Sequence, residues 1–238
     1  MAAIVVSDLR KKFGNITALD GITFSVGEKE IFGLIGPNGA GKTTALRILA
    51  TLLQPSDGSV SIFGHDVVRG DSEIRKLISY LPEDAGAYKN LRGREYLNFM
   101  ADFFAGRDEK ELMVKRASEL SGLGARLNDK ISTYSKGMMR KLLISRALMM
   151  RPLLAILDEP TSGLDVINAQ EVRDTIKRFA QDGTTVLLSS HNMLEVDFLC
   201  ERIALLNRGK IVETGKPVEL KEKYNATNIE DVFVKAIA

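Results

Sequence analysis

The segment Gly36-Pro37-Asn38-Gly39-Ala40-Gly41-Lys42-Thr43-Thr44 brings glycines, a lysine and two hydroxyls together in one short stretch. Its order is that of a phosphate-binding loop: glycine, four residues, glycine, lysine, hydroxyl. Glycines let a backbone turn its amides inward around phosphate oxygens. A helix opening at the end of the loop points its positive end at the same charge. Lys42 has the reach for β- and γ-phosphates, and the Thr43 hydroxyl suits magnesium. The flanks agree. Ile31-Phe32-Gly33-Leu34-Ile35 is an apolar run of the buried-strand type, and Ala45, Leu46, Ile48, Leu49, Leu52 and Leu53 recur at helical spacing. A chance glycine-rich turn has no reason to sit between such a strand and such a helix. The loop therefore implies a nucleoside triphosphate.

Two acids offer a second piece of chemistry. Leu157-Asp158-Glu159 closes another apolar run that begins at Leu153. A carboxylate at such a strand end holds magnesium through its water shell, the expected work of Asp158. Glu159 is then placed to orient and deprotonate an attacking water, a role that contributes about 10²–10⁴ in rate. Alone, both would read as solvated strand-end acids; downstream of a phosphate loop they read as a site.

The elements that must position these groups follow from the pattern. Ile22, Phe24 and Val26 alternate with Thr23 and Ser25 as in a half-buried strand. Pro55-Ser56-Asp57-Gly58 stops the first helix and leads into a strand from Ser59 to Phe63. The N-terminal part thus mixes short strands with one helix. From about Asp84 to Arg140 the pattern is helical, with Gly106, Gly122 and Gly124 as breaks. Tyr96, Met100, Phe103 and Phe104 share one helical face there, and Asp108 with Glu111 has the spacing of an N-cap and its reciprocal acid. Beyond Leu153, buried parallel strands return at 153–157 and 185–188, with a crossover helix between them marked by Ala169, Val172, Ile176 and Phe179. Arg202 to Glu213 reads as a hairpin broken at Arg208-Gly209, and Asn228 with Glu230 and Asp231 opens a last helix. The expected architecture is a single α/β domain over residues 1–238, with a helical unit at about 84–140 inserted in the nucleotide-binding core.

Composition narrows the function classes. With 33 basic against 31 acidic residues the net charge is +2, too balanced to argue for nucleic acid. One cysteine excludes an internal disulfide, and one cysteine with two histidines cannot build a thiolate zinc site. No stretch approaches the ~18 apolar residues of a membrane span, and no secretory signal is visible, so a role at a membrane needs a partner that spans it. Cys200 reads as core filler in a helix with Val196 and Leu199, and His65 as a turn residue.

Tyr134-Ser135-Lys136-Gly137-Met138, about twenty residues before Asp158, opens a helix whose inner face is Met139, Leu142, Leu143 and Ala147. Here the chain resembles the ATP-binding-cassette family of ATPases, in family order through nearly its whole length. Gly36 to Thr44 match the phosphate loop, Tyr134 to Met138 the signature, and Leu153 to Asp158 the second nucleotide motif, followed by Glu159. Ser162-Gly163-Leu164-Asp165 match the D-loop, and His191, after a strand and two serines, matches the switch histidine. The resemblance implies a phosphate-loop core with an N-terminal antiparallel β unit, ATP and Mg2+ as ligands, and a head-to-tail dimer with two ATP molecules at the joint. Gly36, Pro37, Asn38, Gly39, Ala40, Gly41, Lys42, Thr43 and Thr44 would bind the phosphates of one subunit's ATP. Ser135 and Gly137 of the other subunit would face the γ-phosphate, with Asp165 at the seam. Glu159, His191 and Lys42 would carry the chemistry, and Thr43, Glu83 and Asp158 the metal. Phe13, before Gly14, matches the aromatic that stacks on adenine; packing in the core is its alternative.

Two departures stand out. Lys136 and Met138 replace a glycine and the glutamine of the usual Leu-Ser-Gly-Gly-Gln signature, and Glu83 stands where glutamine is common. These departures resemble the ATPase subunits of ABC-2-type exporters. The resemblance then implies a peripheral ATPase on the cytoplasmic face of the cell membrane. It would drive separate membrane-spanning permease subunits, as a homodimer or a pair with a relative, with no nucleic-acid partner. A soluble cassette ATPase acting on DNA or the ribosome is the rival, although such relatives usually carry a long coiled-coil arm, zinc modules or two cassettes in one chain.

Overall fold

The computed structural model describes residues 1–104 and 106–238, with the side chains of Arg107, Asp108, Leu194 and Glu195 left aside. In chain order the elements begin with β1 (Ala2–Phe13), β2 (Ile16–Gly27), β3 (Ile31–Ile35), α1 (Lys42–Leu49), β4 (Asp57–Ile62), β5 (His65–Asp66), α2 (Asp71–Leu77) and β6 (Ile78–Leu81). The helical stretch follows as α3 (Gly93–Ala101), α4 (Arg107–Ser121), two short 3-10 turns and α5 (Lys136–Leu148). The chain then runs through β7 (Leu154–Asp158), α6 (Val166–Gln181), β8 (Thr185–Ser190), α7 (Met193–Leu199), β9 (Arg202–Asn207), β10 (Lys210–Gly215), α8 (Pro217–Lys223) and α9 (Ile229–Ile237).

The strands form two sheets. One is antiparallel in the order β2-β1-β4-β5; the other runs β10-β9-β3-β8-β7-β6, parallel except for the β9–β10 hairpin. The second sheet is buried on both faces, which is why β3, β7 and β8 read as unbroken apolar runs rather than as alternation. Alternation persists underneath. Ile31, Ile35, Ala155, Leu157, Val186 and Leu188 face the core shared with the helices. Phe32, Leu34, Leu154, Ile156 and Leu187 face the core shared with α1 and the antiparallel sheet. Phe32 stacks on Phe24 of β2 at 5.5 Å between ring centres, locking the two sheets together.

The order β3-β8-β7-β6 has a functional consequence. Parallel strands all end at one edge, so residues following Ile35, Ser190, Asp158 and Leu81 meet there although they are far apart in sequence.

Several expectations need correction. The first helix stops at Leu49, because Thr51 adopts a left-handed backbone with φ 60; Leu52 and Leu53 lie beyond the helix, and Leu52 is exposed. The N-terminal strands are long rather than short, twelve residues each in β1 and β2, and bulges let them bend across the core. The helix expected to be capped by Asp108 is capped two residues earlier, at Gly106; the Asp108 side chain lies outside the described residues. Phe103 and Phe104 do not share a face with Tyr96, since α3 ends at Ala101 and both rings are exposed. Cys200 follows α7 rather than sitting in it, though it is buried as expected. His65 belongs to a two-residue strand and is exposed.

Candidate active site

The loop between β3 and α1 wraps the start of the helix. Gly41 is the helix N-cap with φ 110, and a Cβ there would fall 2.6 Å from the carbonyl of Ala18, so only glycine serves. Residues 37–44 line a cavity of about 250 Å³ together with Ile16, Thr17, Ala18, Glu83 and Glu159. Gly36 lies at the mouth of the loop, its amide donating to Ser190 at 3.2 Å and thereby tying the phosphate loop to the end of β8. The β2 residues Ile16 to Ala18 escaped sequence reasoning, because nothing in a strand end signals which cleft it will wall.

Lys42 is 6% exposed, and its ammonium is held from three sides. It donates to the carbonyls of Gly36 at 2.7 Å and Pro37 at 3.3 Å, and it pairs with Glu159 Oε1 at 3.3 Å. The second oxygen of Glu159 accepts from His191, through the ring Nδ1 at 2.8 Å and the amide at 3.2 Å. With Nδ1 donating to a carboxylate, Nε2 of His191 is the ring atom left for a ligand. Glu159 is 5% exposed and has φ 48, an uncommon backbone for a residue with a side chain. Its amide donates to the Ser189 hydroxyl at 3.0 Å, and that hydroxyl in turn donates to Asp158, whose carboxylate is 1% exposed. Ser189 thus contacts both expected site acids, yet the sequence signalled it only as one of two serines before His191.

Glu83 is exposed at the start of the loop following β6, with its carboxylate accepting a long 3.4 Å bond from the Ser162 hydroxyl. Thr43, Asp158 and Glu83 supply only oxygen donors, which suits Mg2+. Among the described residues no group of three or more His, Cys, Asp or Glu is gathered to hold a metal by itself. Phe13 is 47% exposed beside Ile16, its β-sheet partner, so the alternative of core packing does not hold. Lys11 lies 5.0 Å over its ring centre.

The remaining expected site residues gather elsewhere. Ser135 caps α5 by accepting from the Met138 amide at 3.2 Å. Gly137 is buried, and a Cβ there would meet the Asn168 side chain at 2.5 Å. Asn168 in turn donates to Asp165, which caps α6 and whose carboxyl pKa is lowered chiefly by that backbone bond. Inside its own chain Gly137 thus makes room for Asn168, the residue bonded to the Asp165 cap. Lys136 is exposed, with its ammonium over Gly163. None of Ser135, Gly137 or Asp165 lines the phosphate-loop cavity.

A buried lysine in a phosphate loop, facing a paired acid and histidine at the edge of a parallel sheet, defines an NTPase of the phosphate-loop class. The comparisons narrow this class. Residues 19–162 match the ABC transporter family. The linearmycin resistance ATP-binding protein LnrL of Bacillus subtilis is 33% identical over 231 residues, covering 97% of this chain and 74% of its own. The daunorubicin/doxorubicin resistance ATP-binding protein DrrA of Streptomyces peucetius is 38% identical over 224 residues, with 92% and 67% covered. A dimeric ATP-binding cassette solved in a post-hydrolysis state with ADP and Pi superposes with a TM-score of 0.79 at 25% identity, covering 90% of this chain and 98% of that one. The chain belongs to the ABC transporter family, as an ATP-binding and ATP-hydrolysing subunit. The ADP- and Pi-bound cassette is a dimer, and the matching family is one of transporters. The soluble DNA- or ribosome-directed reading is not favoured. No helix among the described residues is long and apolar enough to cross a membrane.

Proposed function

We propose that this chain powers export through separate membrane-spanning subunits, lying peripherally on the cytoplasmic face of the cell membrane. One observation carries the mechanism: the groups for one ATP are split between two regions of a single chain. The phosphate-loop cavity holds Lys42, Glu159 and Glu83, whereas Ser135, Gly137 and Asp165 lie outside it. A head-to-tail pair, of two copies or with a relative, joins one region to the other around each ATP. Glu159 takes the proton of the attacking water, His191 holds the γ-phosphate side, and Lys42 exchanges Glu159 for phosphate oxygens when ATP enters. Thr43, Asp158 and Glu83 would hold Mg2+, which neutralises charge on the transferred phosphoryl group. Phe13 stacks on adenine. Residues 1–238 form one ABC ATPase domain, with the inserted helical unit at about 84–140. The drug-resistance names of the relatives support export, and the charge balance of +2 gives no reason to expect a nucleic-acid partner.

The surface offered to a permease starts in the loop after Glu83. Tyr88 packs on Tyr96 and Phe99 at 6.2 and 5.4 Å between ring centres, and the string continues through Phe103 and Phe104. Tyr88, Phe99, Phe103 and Phe104 are all exposed, an apolar strip beside a loop that touches the ATP site. Alanine at both Tyr88 and Leu91 leaves the ATPase activity of the isolated chain near normal and uncouples the assembled transporter. Equal loss in both assays would mean that the pair only caps the helices. Replacing Glu83 by glutamine shifts the magnesium dependence of hydrolysis more than the affinity for ATP; an unchanged magnesium titration removes Glu83 from the metal set.

The deciding experiment uses Glu159→Gln as bait with Mg-ATP in detergent-solubilised membranes of the source organism. Recovery of a multi-span membrane protein supports the transporter reading. Recovery of ribosomal proteins or nucleic acid alone would replace it with the soluble-ATPase reading.

A further inference from the structure

Arg140 lies on α5, five residues after Ser135, and is 7% exposed. A guanidinium carries five N–H donors in a rigid fork. Here its hydrogen bonds all run to main-chain carbonyls at two strand ends. Nε donates to Pro160 at 2.9 Å, and one terminal nitrogen to Asp158 at 3.4 Å and, more closely, to Glu159. The other terminal nitrogen reaches the carbonyls of Pro82 and Glu83 at 3.5 Å each. Burial lowers the guanidinium's pKa, while the charges of Glu83, Asp158 and Glu159 oppose that effect. The side chain therefore bridges the helix that opens at the signature, the backbone carrying Glu159, and the start of the loop with the apolar strip.

Glu159 explains why a bridge is needed. Its φ of 48 is left-handed, and Pro160 follows it, which further restricts its backbone. Such a conformation persists only where its surroundings over-determine it. The Ser189 hydroxyl grips the amide side, and Arg140 grips the carbonyls of residues 158–160 on the other.

We propose that Arg140 is a positioning residue: it fixes the backbone that aims Glu159 and binds it to the loop beginning at Glu83, so that the two shift together when nucleotide enters. The inference rests on the reading of Glu159 as the group that activates water. Lysine cannot replace the fork, because three donors on one nitrogen cannot span both strand ends.

The chain has no tryptophan, so a single one reports cleanly. Gly86 can carry it, since a Cβ there meets nothing within 4 Å. In the Gly86→Trp chain, Mg-ATP shifts the emission. Adding Arg140→Lys leaves the dissociation constant of a fluorescent ATP analogue within about threefold, abolishes most of the emission response, and lowers kcat by about 10²-fold through misplacement of Glu159. Arg140→Leu strips a buried carbonyl cluster of its donors and can misfold, so the lysine variant, which keeps the charge, decides. Normal turnover with a normal emission response in Arg140→Lys overturns the proposal. So does a loss of nucleotide affinity in parallel with kcat, which marks general collapse, and so does a reporter silent to Mg-ATP in the parent chain. Glu159→Gln in the reporter background separates the two readings: normal turnover there sinks the base assignment, while the emission response still judges the tether.

Discussion

The Glu159→Gln chain binds Mg-ATP and turns it over about 10²–10⁴-fold more slowly than the parent, the loss expected when a general base is removed. The substitution keeps the size of the side chain and its capacity to accept a bond from His191 or Lys42, the two partners seen at 2.8 and 3.3 Å. What disappears is the ability to take a proton. Bound ATP then persists, and the dimer accumulates on size-exclusion chromatography with Mg-ATP in the column buffer. Phosphate release measured under single-turnover conditions isolates the chemical step from product release. A parent-like rate would transfer the role of base to another group.

Lys42→Ala has two consequences with separate readouts. Nucleotide binding falls because the loop loses its cation for the β- and γ-phosphates, seen as loss of saturation in a fluorescent-nucleotide titration. The folded chain is also weakened, because Glu159 is buried and Lys42 is the cation paired with it at 3.3 Å. Removing one member of a buried ion pair costs about 3–5 kcal/mol, so urea unfolding shifts to lower concentration. Adding Glu159→Gln to Lys42→Ala recovers much of the stability and none of the binding. A double variant as unstable as the single one would show that Lys42 acts on the fold through the Gly36 and Pro37 carbonyls instead.

The parts of this site that could be read from the sequence are those built from local spacing. The phosphate loop needs a strand, a turn and a helix in succession, and its residues advertise all three. Asp158 and Glu159 mark a strand end by the apolar run before them. The parts that local spacing does not show, the β2 wall among them, depend on which strands become neighbours. Ser189 enters because β8 lies beside β7, putting its hydroxyl between the Asp158 carboxylate and the Glu159 amide. Arg140 is a charged residue on the helix that carries Gly137, and local spacing assigns it nothing. What it grips, the ends of β6 and β7, is fixed only by their pairing. Helix ends failed for a different reason. The left-handed backbone at Thr51 stops α1 against a pattern that continues through Leu53, because hydrophobic spacing records which faces are buried and not where the chain turns.

The contact between Lys42 and Glu159 also bears on which anions the cell can offer this loop. The carboxylate is covalently part of the same chain and fixed at 3.3 Å, so it acts at a high effective local concentration. A lone inorganic phosphate must outcompete it with nothing else to hold on to. A nucleoside triphosphate bound as proposed would be anchored by its base and by several phosphate oxygens at once, and would displace the carboxylate as part of one larger exchange. If Lys42 and Glu159 act as proposed, the internal ion pair would favour an anion that makes many contacts at once over one that makes few.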